Sequence, residues 1–232
     1  MPKVLAETEE ILALDKPAGL IVHSDGRTEE PSVAEWLLEN YPTLCNVGEP
    51  WISPQRARIA LPGIVHRLDR TTSGVLVVAK TPEMYEHLKL EFKARRVEKI
   101  YRAYVYGHME EESGKIVAEI MRSSEPPRRW YARDCDESDK RAAITEWRLL
   151  KMLDEPASYM EVFPRTGRTH QIRVHFAHIG HPIVADHLYA ADRPPILGLK
   201  RPALHAYSIS LMLLSGQKAV FTAPLPPDFP KS

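Results

Sequence analysis

The sequence predicts an α+β fold, and two observations carry that prediction. Short apolar runs rich in β-branched residues recur between Pro- and Gly-containing turns, at 11–14, 64–65, 75–79, 99–106, 142–150, 159–163, 202–214 and 218–222. Helical spacing with a start signal appears in about three places only, after Ser32, after Thr81 and around 169–180. Strands and helices do not alternate regularly, which disfavours a doubly wound parallel sheet. With 232 residues, 44% of them hydrophobic, the chain has material for a sizeable core.

Taken in order, 11–14 and 20–23 flank an Asp-Lys-Pro-Ala-Gly turn and read as a hairpin. Ser32 caps a helix to about Asn40 whose apolar stripe is Val33, Trp36 and Leu37, with Trp36 in the core. Residues 41–62 hold four prolines and read as irregular. The runs 64–65 and 75–79 enter and leave a polar turn from Arg70 to Gly74, which puts Asp69 where a strand ends. Thr81 caps a second helix to about Arg96, with Pro82 in its first turn and Met84, Leu88 and Phe92 facing inward. In the strand 99–106, Tyr101, Ala103 and Val105 share a face.

Residues 115–120 form a further strand. The segment 126–130, Pro-Pro-Arg-Arg-Trp, reads as an exposed basic loop, of a composition that binds single-stranded nucleic acid or rims an enzyme cleft. Two antiparallel strands follow at 142–150 and 159–163. Thr169 caps a third helix that Gly180 stops, with Ile172, Phe176 and Ile179 as its buried stripe and His170 and Arg173 together on another face. The last strands are 202–214 and 218–222.

The formal net charge of zero hides an asymmetry. Residues 1–50 carry three basic against ten acidic side chains, whereas 51–107 carry eleven basic against five acidic. The field over that second stretch suits a polyanion. Cys45 and Cys135 are too few for a disulfide framework or a zinc site, and the N-terminus has no export signal. A soluble, cytoplasmic chain with reduced thiols is expected. Four histidines, at 170, 175, 178 and 181, follow no HExxH spacing and have no cysteine beside them, so no metal is expected. Nor is there a P-loop or a GxGxxG.

Residues 63–81 read GIVHRLDRTTSGVLVVAKT. A carboxylate at 69, preceded by His66 and flanked by Arg67 and Arg70, would be held ionised by the neighbouring positive charge. An Asp ahead of Thr-Thr-Ser-Gly also simply starts a turn. The length of the match decides between them, since HRLDRTTSGVLVVAKT resembles the signature of the RluA-type pseudouridine synthases. Further blocks fit that family in order: LDKPAGLIVH from Leu14, KIYRAYV from Lys99, TGRTHQIRVHFAHIGHPIVAD from Thr166, and LHA from Leu204.

The resemblance implies one catalytic domain over 1–232, with a mixed, mostly antiparallel sheet split by a central cleft and flanked by helices. It implies isomerisation of uridine to pseudouridine in an rRNA or tRNA stem-loop, without cofactor or metal. A monomer is expected, and the short stretch before Asp15 leads to the expectation of a form lacking the small N-terminal RNA-binding domain of many relatives. Asp69 then attacks C1′ or assists through a glycal. Arg173 pairs with Asp69, and Tyr101 lies against the target base. Arg67 fills the space left by the flipped base. His66, Arg70, Arg168, His170 and Leu204 lie in the same blocks and are candidate substrate contacts. Lys16 reads equally as a phosphate contact or a solvated turn lysine. One departure stands out: Ala185-Asp186 replaces the usual Gly-Asp, which puts the tight turn there in doubt.

Overall fold

The computed structural model describes residues 1–24, 30–53, 56, 58–124 and 129–230. In chain order they form β1 (Lys3–Glu7), β2 (Ile11–Lys16), α1 (Val33–Asn40), β3 (Trp51–Ile52), β4 (Arg58–Ile59), β5 (Ser73–Ala79) and α2 (Pro82–Lys93). There follow β6 (Glu98–Tyr106), β7 (Ser113–Arg122), β8 (Trp130–Asp134), β9 (Ala142–Met152), β10 (Ala157–Pro164), α3 (Gln171–His178), β11 (Leu204–Met212) and β12 (Lys218–Thr222). Strands thus dominate over three α-helices, as the α+β reading expects. The chain divides into two compact units, Met1–Glu98 with Ala206–Pro224, and Lys99–His205 with Leu225–Ser232.

In the first unit β5 is buried at all seven positions, the behaviour of a continuous β-branched run covered on both faces. The strand order is β1-β2-β5-β11, with β12 on β11. β2 runs antiparallel to β5 from Ile11↔Ala79 to Lys16↔Gly74. This corrects the expected hairpin. Both edges of β2 are occupied, by β1 and β5, and of 20–23 only Ile21 makes a β-bridge, a parallel one to Ser32. Ile64 likewise makes a single bridge, to Val78. At Gly74, φ is +117° and an added Cβ would lie 2.1 Å from the Ala206 carbonyl oxygen, so only glycine lets β5 start against β11.

The Ser32 hydroxyl accepts from the Glu35 N–H at 3.2 Å while the Glu35 carboxylate accepts from the Ser32 N–H at 2.9 Å, a full capping box for α1. Its buried residues are Val33, Ala34 and Leu37; Trp36 is only half-buried, against Tyr41, and not core. Thr81 caps α2 through the Met84 N–H at 3.2 Å, and Met84 and Leu88 are fully buried. The helix ends at Lys93, earlier than its basic tail suggests, because Arg95 takes a left-handed φ of +59°.

In the second unit β6, β10, β9, β7 and β8 pair in that order, all antiparallel. β8 begins at Trp130, the last residue of the segment read from sequence as a basic loop; of that loop, 126–128 lie outside the described residues. The core stacks Tyr104 on Tyr159, ring centroids 4.6 Å apart, with the edge of Phe229 from the C-terminal segment at 5.6 Å. Burial pushes the Tyr104 hydroxyl up to about 12, and it donates to the Pro230 carbonyl.

Gly180, at φ +84°, ends α3 as expected, with the His181 N–H on the Phe176 carbonyl and the Gly180 N–H on that of Ala177. Ile172 and Phe176 are buried, but Ile179 lies past the helix and is 37% exposed. No helix among the described residues is long and apolar enough to cross a membrane.

Candidate active site

The first unit builds a rigid platform under Asp69, a half-buried residue. The Asp69 carbonyl accepts from the Thr72 N–H at 3.1 Å, closing a turn, and the Arg70 carbonyl accepts from the Gly19 N–H at 2.8 Å. Lys16 completes it. Its side chain is 0% exposed, and its ammonium donates to the carbonyls of Pro17 (2.9 Å), Leu20 (2.8 Å) and Arg70 (3.3 Å). Both sequence readings of Lys16, phosphate contact and solvated turn lysine, are therefore corrected. A buried ammonium needs donors satisfied, and here three carbonyls converge on it, tying the 17–20 turn to the residue after Asp69.

His66 is a support as well: its Nε2 accepts from the Val77 N–H at 2.9 Å and its ring stacks on Phe92 at 4.9 Å. Arg67 is exposed, with Nη1 3.4 Å from His23 Nε2. Arg70 pairs at the surface with Glu30, at 2.7 Å. The two arginines read from sequence as a field on Asp69 thus also hold other partners.

The second unit presents Tyr101 on β6, opposite Val162 of β10 and packed on the core. Lys99, two residues earlier and so on the same side of the strand, donates to the Thr166 carbonyl at 3.4 Å; burial, and then the charge of Arg165, push it down to about 8. The 166–170 loop, which includes the exposed Arg168, is held by Gln171. The Gln171 Oε1 accepts from the Thr166 hydroxyl (2.6 Å) and the Arg168 N–H (3.0 Å), and its Nε2 donates to the Ile144 carbonyl (2.9 Å) and the Thr145 hydroxyl (3.0 Å). All four amide positions are used. His170, read as following a Thr169 cap, is itself the N-cap, in the left-handed region at φ +55° with no side-chain cap bond. Its Nδ1 lies 2.9 Å from the Tyr189 hydroxyl. Leu204 is buried at the start of β11.

Arg173 is 6% exposed and fixed in two directions. Its Nε and Nη2 donate to the two Asp186 oxygens, at 2.6 and 2.9 Å, while Tyr189 lies over the guanidinium, 5.1 Å from ring centroid to Cζ. Asp186 is 1% exposed and also accepts from the N–H groups of Leu188 (3.0 Å) and Tyr189 (3.3 Å). Sequence reasoning singled out the arginine but missed this partner.

A family model described as RNA pseudouridylate synthase matches residues 10–178. The chain belongs to the RNA pseudouridylate synthase family. It is 35% identical to an uncharacterized RNA pseudouridine synthase of Synechocystis sp., over 98% of this chain and 67% of the relative. It is 42% identical to one of Chloroflexus aurantiacus over 92% of this chain, spanning 63% of that relative's length. Ribosomal large subunit pseudouridine synthase D of Pseudomonas aeruginosa is 35% identical over 98% of this chain and 69% of its own. Among solved structures, human RNA pseudouridylate synthase domain containing 1 superposes with a TM-score of 0.70 at 25% identity, covering 97% of this chain and 83% of the human one.

Ala185-Asp186, where the resemblance implied Gly-Asp, forms the turn regardless. Ala185 takes the left-handed conformation at φ +58° that glycine adopts without strain. Ala185→Gly is therefore expected to stabilise the protein by about 1 kcal/mol, read as a rise in Tm of about 2–4 °C by calorimetry; a fall would show that the strain is relieved by Ala185 packing.

The four family-block histidines serve separate ends. His178 Nε2 meets Asp134 at 2.7 Å, and His181 Nδ1 donates to the Tyr106 carbonyl at 2.9 Å. His175 is 0% exposed and neither ring nitrogen has a hydrogen-bond partner among the described residues. Burial, and then nearby His178, push it down from 6.5 to about 4. The unfolded chain thus takes this proton first on acidification. Stability present above pH 6.5 is lost as pH falls toward 4, by about 3 kcal/mol in all. Melting His175→Leu across pH 7 to 4 should show a flatter acid limb than the parent; identical slopes would remove His175 as the cause.

Proposed function

We propose that the chain isomerises uridine in RNA with Asp69 as the nucleophile at C1′ of the target ribose, residues 1–232 working as one catalytic module. The observation that carries this is the Asp69 turn, a half-buried carboxylate at the mouth of a fully buried strand, with its backbone locked by a sacrificed lysine. Such rigidity suits a group that must meet one carbon. The freed uracil must stay bound, rotate and rejoin through C5, so the pocket has to hold a neutral base without releasing it. Tyr101 stacks on that base and positions it. We assign Arg173 as the partner of Asp69 in the RNA-bound enzyme, a task for which its restraint by Asp186 and Tyr189 prepares it.

A base inside a stem or folded loop must be flipped out, at a cost of about a few kcal/mol, and Arg67 takes the vacated space. Because relatives such as that of Pseudomonas aeruginosa carry the name ribosomal large subunit pseudouridine synthase, we infer that large-subunit rRNA is the substrate, met in the cytoplasm. The test is carbodiimide-stop primer extension on total RNA from cells lacking the gene, treated with purified protein. Stops in large-subunit rRNA are expected. Stops in tRNA alone would overturn the substrate, and none at all the activity.

A further inference from the structure

We propose that Trp51 is the stacking platform for a nucleotide flanking the target uridine, a subsite that rests on the isomerase reading above. Trp51 lies on the two-stranded ribbon of β3 and β4, opposite Ile59. It is 36% exposed and its neighbour Ile52 is 56% exposed, although adjacent strand residues face opposite ways. The indole is placed rather than loose. Its ring centroid lies 5.7 Å from that of His23, and His23 Nε2 lies 3.4 Å from Arg67 Nη1.

The hydrogen bonds fix the His23 tautomer. Nδ1 sits 2.8 Å from the Ser24 carbonyl, which can only accept, so Nδ1 carries the proton and Nε2 accepts from Arg67. Indole, imidazole and guanidinium are thus linked through His23 by two contacts, and Arg67 stands two residues before Asp69 in the chain. An exposed aromatic with a guanidinium linked to it is the kind of surface on which unstacked bases lie, the π-face serving any base and the cation the phosphate beside it.

Charge selects RNA over a protein partner. From Trp51 to Arg70 the chain carries four arginines and one carboxylate, Asp69 itself. Flipping a uridine deprives its neighbour of a stacking partner, and Trp51 supplies a replacement. His23 couples Trp51 to Arg67, so the neighbour is gripped as the gap is filled.

The test is binding, independent of turnover. A 5′-labelled RNA hairpin with a loop of seven uridines, and the same hairpin with an abasic loop, are titrated with the full chain and read by fluorescence anisotropy at low salt. Trp51→Ala should weaken binding of the uridine loop about tenfold or more. Trp51→Phe should restore most of it, and the abasic hairpin should bind both proteins alike. The inference is overturned if the uridine loop binds Trp51→Ala within about twofold of the parent, if the abasic hairpin suffers the same loss, or if the parent binds no uridine loop. Absence of isomerisation in total RNA, with the base-dependent loss intact, would sink the catalytic reading and leave the stacking site standing.

Discussion

Asp69→Asn should abolish uridine isomerisation, by roughly 10⁴-fold or more, while the protein melts within a few degrees of the parent and still binds RNA. The asparagine keeps the size of the side chain and leaves the backbone bonds of the turn in place, among them the carbonyl of Asp69 to Thr72 and the carbonyl of Arg70 to Gly19 and Lys16. What is lost is the carboxylate nucleophile. Affinity should reside largely in phosphate and base contacts elsewhere. Single-turnover assays on large-subunit rRNA beside filter binding separate the two. Residual turnover within about tenfold of the parent would assign the chemistry to another group, and lost binding would make Asp69 a recognition residue.

The same turn shows how far a sequence can be read. Val75–Ala79 were legible as a buried strand because nothing but a two-sided burial suits that run, and Thr81-Pro82 announces α2 by local chemistry alone. Lys16 was not legible. A lysine in an Asp-Lys-Pro-Ala-Gly turn looks solvated, and only the arrival of Arg70, 54 residues away, closes the ring of carbonyls around it. Thr169 failed as a helix cap for a similar reason: the start of α3 is set by the four bonds of Gln171, two of them to β9. β1 was missed because Lys3–Glu7 is mostly exposed, with no buried position and so no clear alternation. Asp186 was not legible either: the spacing put Arg173 on a face apart from the apolar stripe, whereas α3 is buried at every position from Gln171 to Phe176, and an arginine buried there needs a carboxylate.

That pair carries the second large effect. Asp186→Leu leaves the Arg173 guanidinium without the carboxylate that satisfies two of its nitrogens, and should cost about 3–5 kcal/mol of stability, seen in urea unfolding. Arg173→Met should cost less, because Asp186 keeps the N–H groups of Leu188 and Tyr189. Removing both, Arg173→Met with Asp186→Leu, should recover part of the loss, since two apolar side chains can fill the site without an unpaired charge. Turnover should behave differently. All three variants should lose it even at temperatures well below their melting points, because the proposed partner of Asp69 is absent or unaimed in each. Arg173→Lys should fall too, as an ammonium cannot make two parallel bonds to Asp186 in the guanidinium plane. Full kcat in folded Asp186→Leu would show that the pair serves the fold alone and that Arg173 needs no aiming.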